Sequence, residues 1–198
     1  VRIDGRSFIF DLDDLFRFLA THGDRDDIAP RAALALARTL MISGEKEDRW
    51  RARRAYEDFL ERFPEHPLVF TAILEQALSH VITYKGADYD VGALLDARDL
   101  VDLAELEAGG DPGRAAMVAA FRKRLGAWLQ DRDLSVATWY ARRTRPWWLA
   151  WLKKPTELDD PDVGARYYAE AVIRRDRASL QAARAEALLG TLPPAEGR

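Results

Sequence analysis

The segment ARRAYEDFLERFP, residues 52–64, sets a small residue, an aromatic and a chain breaker in a fixed frame: Ala52, then Tyr56 four residues on, then Pro64 twelve residues after Ala52. Four residues is about one helical turn, so Ala52 and Tyr56 share a face. The small side chain lets the two helices of a hairpin approach. The large one fills the gap to the next hairpin, and proline ends the helix so that the chain turns back. The frame returns with Ala97, Val101 and Gly109, again with Gly164, Tyr168 and Asp176, and in a weaker form with Leu12, Phe16 and Asp24.

Helical periodicity runs outward from this segment in both directions. Leu12, Leu15, Phe16 and Leu19 repeat at three- and four-residue steps, between Asp11 as N-cap and Gly23 as stop. The next helix is expected over 28–43, with Asp27 as cap, Pro30 in the first turn and Gly44 as the stop. Its alanines, Ala29, Ala32, Ala33, Ala35 and Ala37, allow a neighbour to come close. Further helices are expected over 46–63 and 67–84, and from Asp90 to the Gly109-Gly110 pair. A long helix should then run from Asp111-Pro112 to Thr144, with a candidate break at Asp131–Asp133, and two more over 163–175 and 178–189. No strand pattern is visible.

Short loops between helices make antiparallel hairpins, and a recurring frame makes them a repeat. AxxxYxxFLxxFP is the second-helix pattern of tetratricopeptide repeats. The sequence therefore predicts an all-α fold, a superhelical array of tetratricopeptide-type hairpins. It predicts one domain over 1–190, with an irregular tryptophan-rich insert at 145–162 and a frayed tail at 191–198. Ala52 and Ala97 stand 45 residues apart, Ala97 and Gly164 67 apart, against a regular period of about 34. Insertions must account for the excess. The first copy, at Leu12, is a second helix without its first, which predicts a further helix upstream of Val1, or else a simple capping role for 12–22.

RRAYEDFLERFPEHP (residues 53–67) resembles the repeat ending in FP-x-HP of the outer-membrane β-barrel assembly lipoproteins, the BamD-like or YfiO-like family. In the same order, YKGADYDVGALLDARDLVDLAEL resembles their third repeat, RKRLGAWLQDRDLSVATWYARR their long helix and the helix after it, and VGARYYAEAVIRRDRASLQAARAEALL their final repeat. The resemblance spans about 28–189; FPEHP and SVATWYARR are its specific parts. It implies a curved array of helical hairpins and a non-enzymatic scaffold on the periplasmic face of the outer membrane. That scaffold would be held by a lipidated cysteine upstream of Val1 and docked to the barrel-inserting protein and its unfolded barrel substrates. The sequence departs from the family in lacking that cysteine, in Asp176 where a repeat-ending proline is common, and in the tryptophan-rich insert. The alternative is a cytoplasmic tetratricopeptide adaptor that binds peptide segments of unrelated partners.

Composition removes several classes of function. With 48% hydrophobic and 32% charged residues the chain should fold. A net charge of −3 gives no global pull towards nucleic acid or acidic membrane. Absence of cysteine removes disulfides, thiolate catalysis and cysteine metal sites. No apolar run approaches the length of about 20 residues that spans a bilayer. His22, His66 and His80 stand at no metal-ligand spacing, and no phosphate-binding glycine motif or nucleophile elbow occurs. His66, between Glu65 and Pro67, reads as a structural turn residue. RWRARR at 49–54 is diluted by Glu45, Glu47, Asp48 and Glu57 and reads as a solvated face. No catalytic residue and no cofactor is expected.

The insert RPWWLAWLKKPTELDDPD, residues 145–162, carries three of the six tryptophans. In helical geometry Trp147 and Trp151 are one turn apart, as are Trp148 and Leu152, so they form one apolar face; Lys153 and Lys154 sit at the end the dipole favours, and Pro155 stops it. One reading folds this face onto the array, each tryptophan contributing roughly 2–3 kcal/mol by burial. The functional reading makes Trp147, Trp148 and Trp151, with Arg142 and Arg143, a partner-binding site. A third places the segment at a membrane interface.

Overall fold

A computed structural model describes residues 2–3, 6–7, 12–24, 27–43, 45–82, 84–87, 91–143 and 161–193. Among them the fold is all-α apart from one hairpin, in which β1 (Arg2–Ile3) pairs antiparallel with β2 (Arg6–Ser7). Two residues per strand form no sheet core and leave no alternating pattern to read. The helices are α1 (Leu12–His22), α2 (Ile28–Ile42), α3 (Lys46–Arg62), α4 (Val69–Ile82), α5 (Gly92–Glu107), α6 (Pro112–Arg142), α7 (Pro161–Arg175) and α8 (Leu180–Thr191). They gather into two compact units: Val1–Thr83 with Leu95–Ala120, and Tyr84–Leu94 with Phe121–Arg198.

In the first unit α1 packs on α2, α2 on α3 and α3 on α4. The approach is close because Ala29, Ala32, Ala33 and Ala37 of α2 are buried, whereas Ala35 is only partly so. Large side chains fill what the alanines leave: Tyr56 and Phe59 of α3 are fully buried. The Tyr56 hydroxyl donates to Glu75 of α4 at 3.3 Å, and Arg38 of α2 donates to both oxygens of the same carboxylate, at 2.6 and 2.8 Å. One carboxylate thus ties three helices. Burial, followed by the Glu75 charge, pushes the Tyr56 phenol well above its usual range. Pro64 is exposed in the turn after α3. In that turn the ring nitrogen Nδ1 of His66 accepts the Leu68 N–H at 3.2 Å, and the ring meets Phe59 edge-on at 6.3 Å.

Helix ends follow local chemistry, with two departures. Gly109 and Gly110 take left-handed φ of 58° and 82°, which stops α5 without a Cβ penalty. Asp111 Oδ1 then accepts the N–H groups of Gly113 and Arg114 at 2.7 and 3.0 Å, opening α6 and holding this carboxyl below its usual range. Asp27, expected to cap α2, makes no side-chain cap bond; its carboxylate pairs with Arg31 at 2.6 Å instead. The break expected near Asp131–Asp133 is also absent, for α6 runs unbroken through 31 residues. Those acids serve the tertiary structure, not a turn. Asp131 accepts from Gln181 of α8 at 2.8 Å, and buried Asp133 pairs with Arg132 and with Arg175 of α7, each at 3.1 Å.

In the second unit the core joins Ala137 of α6, Ala169 and Val172 of α7, and Ala185 of α8, with Leu134, Tyr168, Ile173, Leu188 and Leu189 packed around them. Gln130 closes the end of α7. Its buried amide donates to the carbonyls of Val172 and Asp176 at 3.0 and 3.1 Å, adding a bond to two carbonyls that also accept the N–H groups of Asp176 and Ser179 at 3.4 and 3.3 Å. α7 begins at Pro161, so residues 161 and 162, expected in the insert, form its first turn. Proline suits that position because its missing N–H would have had no partner there. Ser179 caps α8 by accepting the Ala182 N–H at 3.0 Å.

Candidate partner-binding site

Trp139 and Tyr140 are neighbours near the end of α6, and adjacent helical residues point about 100° apart. Tyr140 turns towards α7, whereas Trp139 stands 53% exposed. Opposite Tyr140 lies Gly164, whose missing Cβ makes the approach feasible: a Cβ there would stand 2.8–2.9 Å from ring atoms of Tyr140. The Tyr140 ring stacks on Tyr168, with centroids 5.9 Å apart and planes 14° apart, and takes Trp139 edge-on at 4.9 Å. Tyr168 in turn meets Tyr167 edge-on at 5.2 Å, and Tyr167 is 61% exposed. Four aromatic rings therefore form a continuous ladder, packed at its middle and exposed at its two ends.

Arginines flank the ladder. Arg143 holds its guanidinium 4.4 Å over the Trp139 ring, and Arg132 lies 5.5 Å over Tyr168 with Asp133 fixing it from behind. Such stacking binds a cation through the ring quadrupole. The Arg143 N–H also closes the last turn of α6 on the Tyr140 carbonyl at 3.0 Å. Arg142 and Arg143 are both exposed, and among the described residues neither pairs with an acidic side chain. Most other exposed arginines are matched, among them Arg17 by Asp14, Arg31 by Asp27, Arg51 by Asp48 and Arg174 by Glu170, whereas Arg124, Arg177 and Arg184 are not, among the described residues.

Of the residues expected to bind a partner, Arg143 lies here, Arg142 is the exposed last residue of α6 just before it, and Trp147, Trp148 and Trp151 fall outside the described residues. The frame residues divide. Ala52, Tyr56, Ala97 and Val101 are fully buried in the first unit and take no part in the site. Gly164 and Tyr168 belong to it, through Tyr140. Leu12, the small-residue position of the weak copy, is 57% exposed and mediates no close approach. Sequence reasoning passed over Trp139 and Tyr167. A signal for the first was available, since Trp139 and Arg143 are four apart on one helix and so face the same way.

The chemistry elsewhere is sparse. His80 Nδ1 lies 3.3 Å from Asp96, yet burial and the Arg53 charge hold this imidazole below its ordinary range. Among the described residues no cluster of three or more histidines and acids is placed to hold a metal ion, and no helix is long and apolar enough to cross a membrane. Comparison with known proteins returned no match among family models, curated proteins or solved structures.

Proposed function

We propose that the chain is a non-enzymatic protein–protein scaffold whose docking face centres on Trp139. The observation that carries this reading is a large aromatic held out in solvent on a rigid base, with Arg143 stacked on it. Tryptophan and arginine are the residues on which binding energy concentrates. A partner that covers the exposed half of Trp139 removes on the order of 100 Å² of apolar surface from water, worth about 2–3 kcal/mol. The FP-x-HP turn and the SVATWYARR segment support the more specific proposal that this scaffold is a BamD-like component of outer-membrane barrel assembly. It would act at the periplasmic face, with the barrel-inserting protein and unfolded barrel substrates as partners.

Calorimetric binding of the full chain to the soluble periplasmic domains of the barrel-inserting protein from the same cells tests this proposal. Binding is expected, and Trp139→Ala should weaken it by roughly 30- to 100-fold, with the loss of the Tyr140 contact lowering the melting temperature by only about 2–4 °C. Mass spectrometry of the native precursor should find a lipidated cysteine upstream of Val1. No binding, together with a precursor bearing no signal, overturns the assembly reading in favour of the cytoplasmic adaptor. A partner whose affinity ignores Trp139→Ala and Tyr167→Ala removes this face from the scaffold.

A further inference from the structure

We infer that the Trp139 face takes an acidic peptide segment, with a carboxylate held by Arg143, a neighbouring apolar side chain laid on the exposed part of Trp139, and Arg142 adding positive charge at the same helix end. This inference rests on the scaffold reading of the same face and names the chemistry of its partner. Three observations carry it. First, Arg142 and Arg143 lack acidic partners among the described residues, in a chain whose other exposed arginines are largely ion-paired or hydrogen-bonded. Second, the guanidinium of Arg143 is already ordered over the indole at 4.4 Å. A stacked guanidinium keeps its N–H edge free, and a carboxylate can accept two parallel hydrogen bonds from that edge. Pre-ordering the long side chain removes much of the entropy cost of making that pair. Third, the apolar surface beside the charges is aromatic and fixed from beneath by Tyr140, Tyr168 and Gly164, so it presents one shape to its partner.

Nucleic acid also combines negative charge with flat rings. Two considerations favour the peptide. The chain as a whole carries net charge −3, which repels the continuous phosphate charge of a nucleic acid more than a short peptide with a few carboxylates. Exposed Glu170 beside Arg174, and Asp162 one turn before Arg166, put carboxylates along α7, the helix that carries Tyr167 and Tyr168 of the ladder.

The test uses the full chain and three labelled probes in fluorescence anisotropy: a peptide alternating glutamate with phenylalanine, the same peptide with glutamine for glutamate, and a single-stranded oligonucleotide. The acidic peptide should bind, and the glutamine peptide should bind at least about tenfold more weakly. Arg142→Gln combined with Arg143→Gln should erase that difference, with helicity and melting unchanged. Arg143→Lys should recover only part of it, because ammonium lacks the planar fork. Added salt should weaken the acidic peptide selectively. Equal binding of the two peptides, or unchanged affinity in the double arginine variant, overturns the inference. So does tighter binding of the oligonucleotide. If the periplasmic domains bind in a Trp139-dependent way that the double arginine variant leaves intact, the scaffold stands and the acidic-partner inference alone fails.

Discussion

Replacing Gly164 with alanine should harm this protein, although alanine is the better helix former. Two effects oppose each other. In a helix, alanine is favoured over glycine by about 0.8–1.0 kcal/mol. At Gly164, however, the new methyl group would lie 2.8 Å from Tyr140 Cδ1 and 2.9 Å from Cε1 and Cγ, closer than carbon atoms pack. The ring cannot simply swing away, since Tyr168 stacks on it and Trp139 meets it edge-on. Overpacking of this kind costs about 1–3 kcal/mol, so the net change is a loss of up to about 2 kcal/mol. Gly126 supplies the control. It lies in α6, within the same unit, and a Cβ there would meet nothing within 4 Å. Gly126→Ala should therefore gain close to the full propensity term, about 1 kcal/mol, or roughly 2–4 °C in melting temperature for a chain of this size. Urea unfolding followed by far-ultraviolet circular dichroism measures both variants, and the near-ultraviolet signal reports on the ladder. Gly164→Ala should fall at or below wild type and alter the near-ultraviolet spectrum; Gly126→Ala should do neither. If Gly164→Ala stabilises as much as Gly126→Ala, the close approach of α6 and α7 at Tyr140 is wrong.

Two further perturbations test the polar supports of the fold. Asp133→Ala removes the shared partner of Arg132 and Arg175 and should cost about 2 kcal/mol, below the full cost of a buried pair because both guanidiniums keep partial solvent access; a change under about 0.5 kcal/mol in urea unfolding would remove this network from the account. His80 makes stability depend on pH. Burial first, then Arg53, hold its imidazole below the ordinary range, and the attraction of Asp96 does not reverse this. The unfolded chain therefore takes up this proton at a higher pH than the folded one. The His80 contribution is fully present above the unfolded value of about 6.5 and is lost as pH falls from there through the lowered folded value. His80→Gln should flatten the urea midpoint between about pH 7 and pH 5; a wild-type midpoint that is level there, or that rises on acidification, contradicts the assignment.

Much of the helical framework was legible because it is written in local chemistry. The stops at Gly109-Gly110 and Pro64, the start at Asp111-Pro112 and the apolar spacing of α1 to α5 act within one or two turns. The frame residues Ala52, Tyr56, Ala97 and Val101 were recognisable by size and spacing, and all four are fully buried. The expected break in α6 failed for a reason outside the segment. Asp131 and Asp133 look like turn residues in isolation, but Gln181, Arg132 and Arg175 engage them from the side while the helix continues. Asp27 shows the same limit on a smaller scale, since Arg31 competes with the backbone for its carboxylate.

The candidate site was half visible. Arg142 and Arg143 were marked by their charge beside aromatic sequence, but the tryptophan that Arg143 covers is Trp139, behind it on the helix. Residues 144–160, with Trp147, Trp148 and Trp151, lie outside the described structure. By itself the sequence determined the all-α class and most helix ends, because periodicity and capping are properties of neighbouring residues. It also marked Ala52, Tyr56, Ala97 and Val101, by size and spacing, as side chains for close packing, though it misjudged Leu12 and Ala35. Only the tertiary structure decided that Gly164 admits Tyr140, that Asp133 and Gln130 fasten α6 to α7, and that Trp139 and Tyr167 remain in solvent. Those facts depend on which faces meet across some 25 to 45 residues of chain, and no local pattern carries that information.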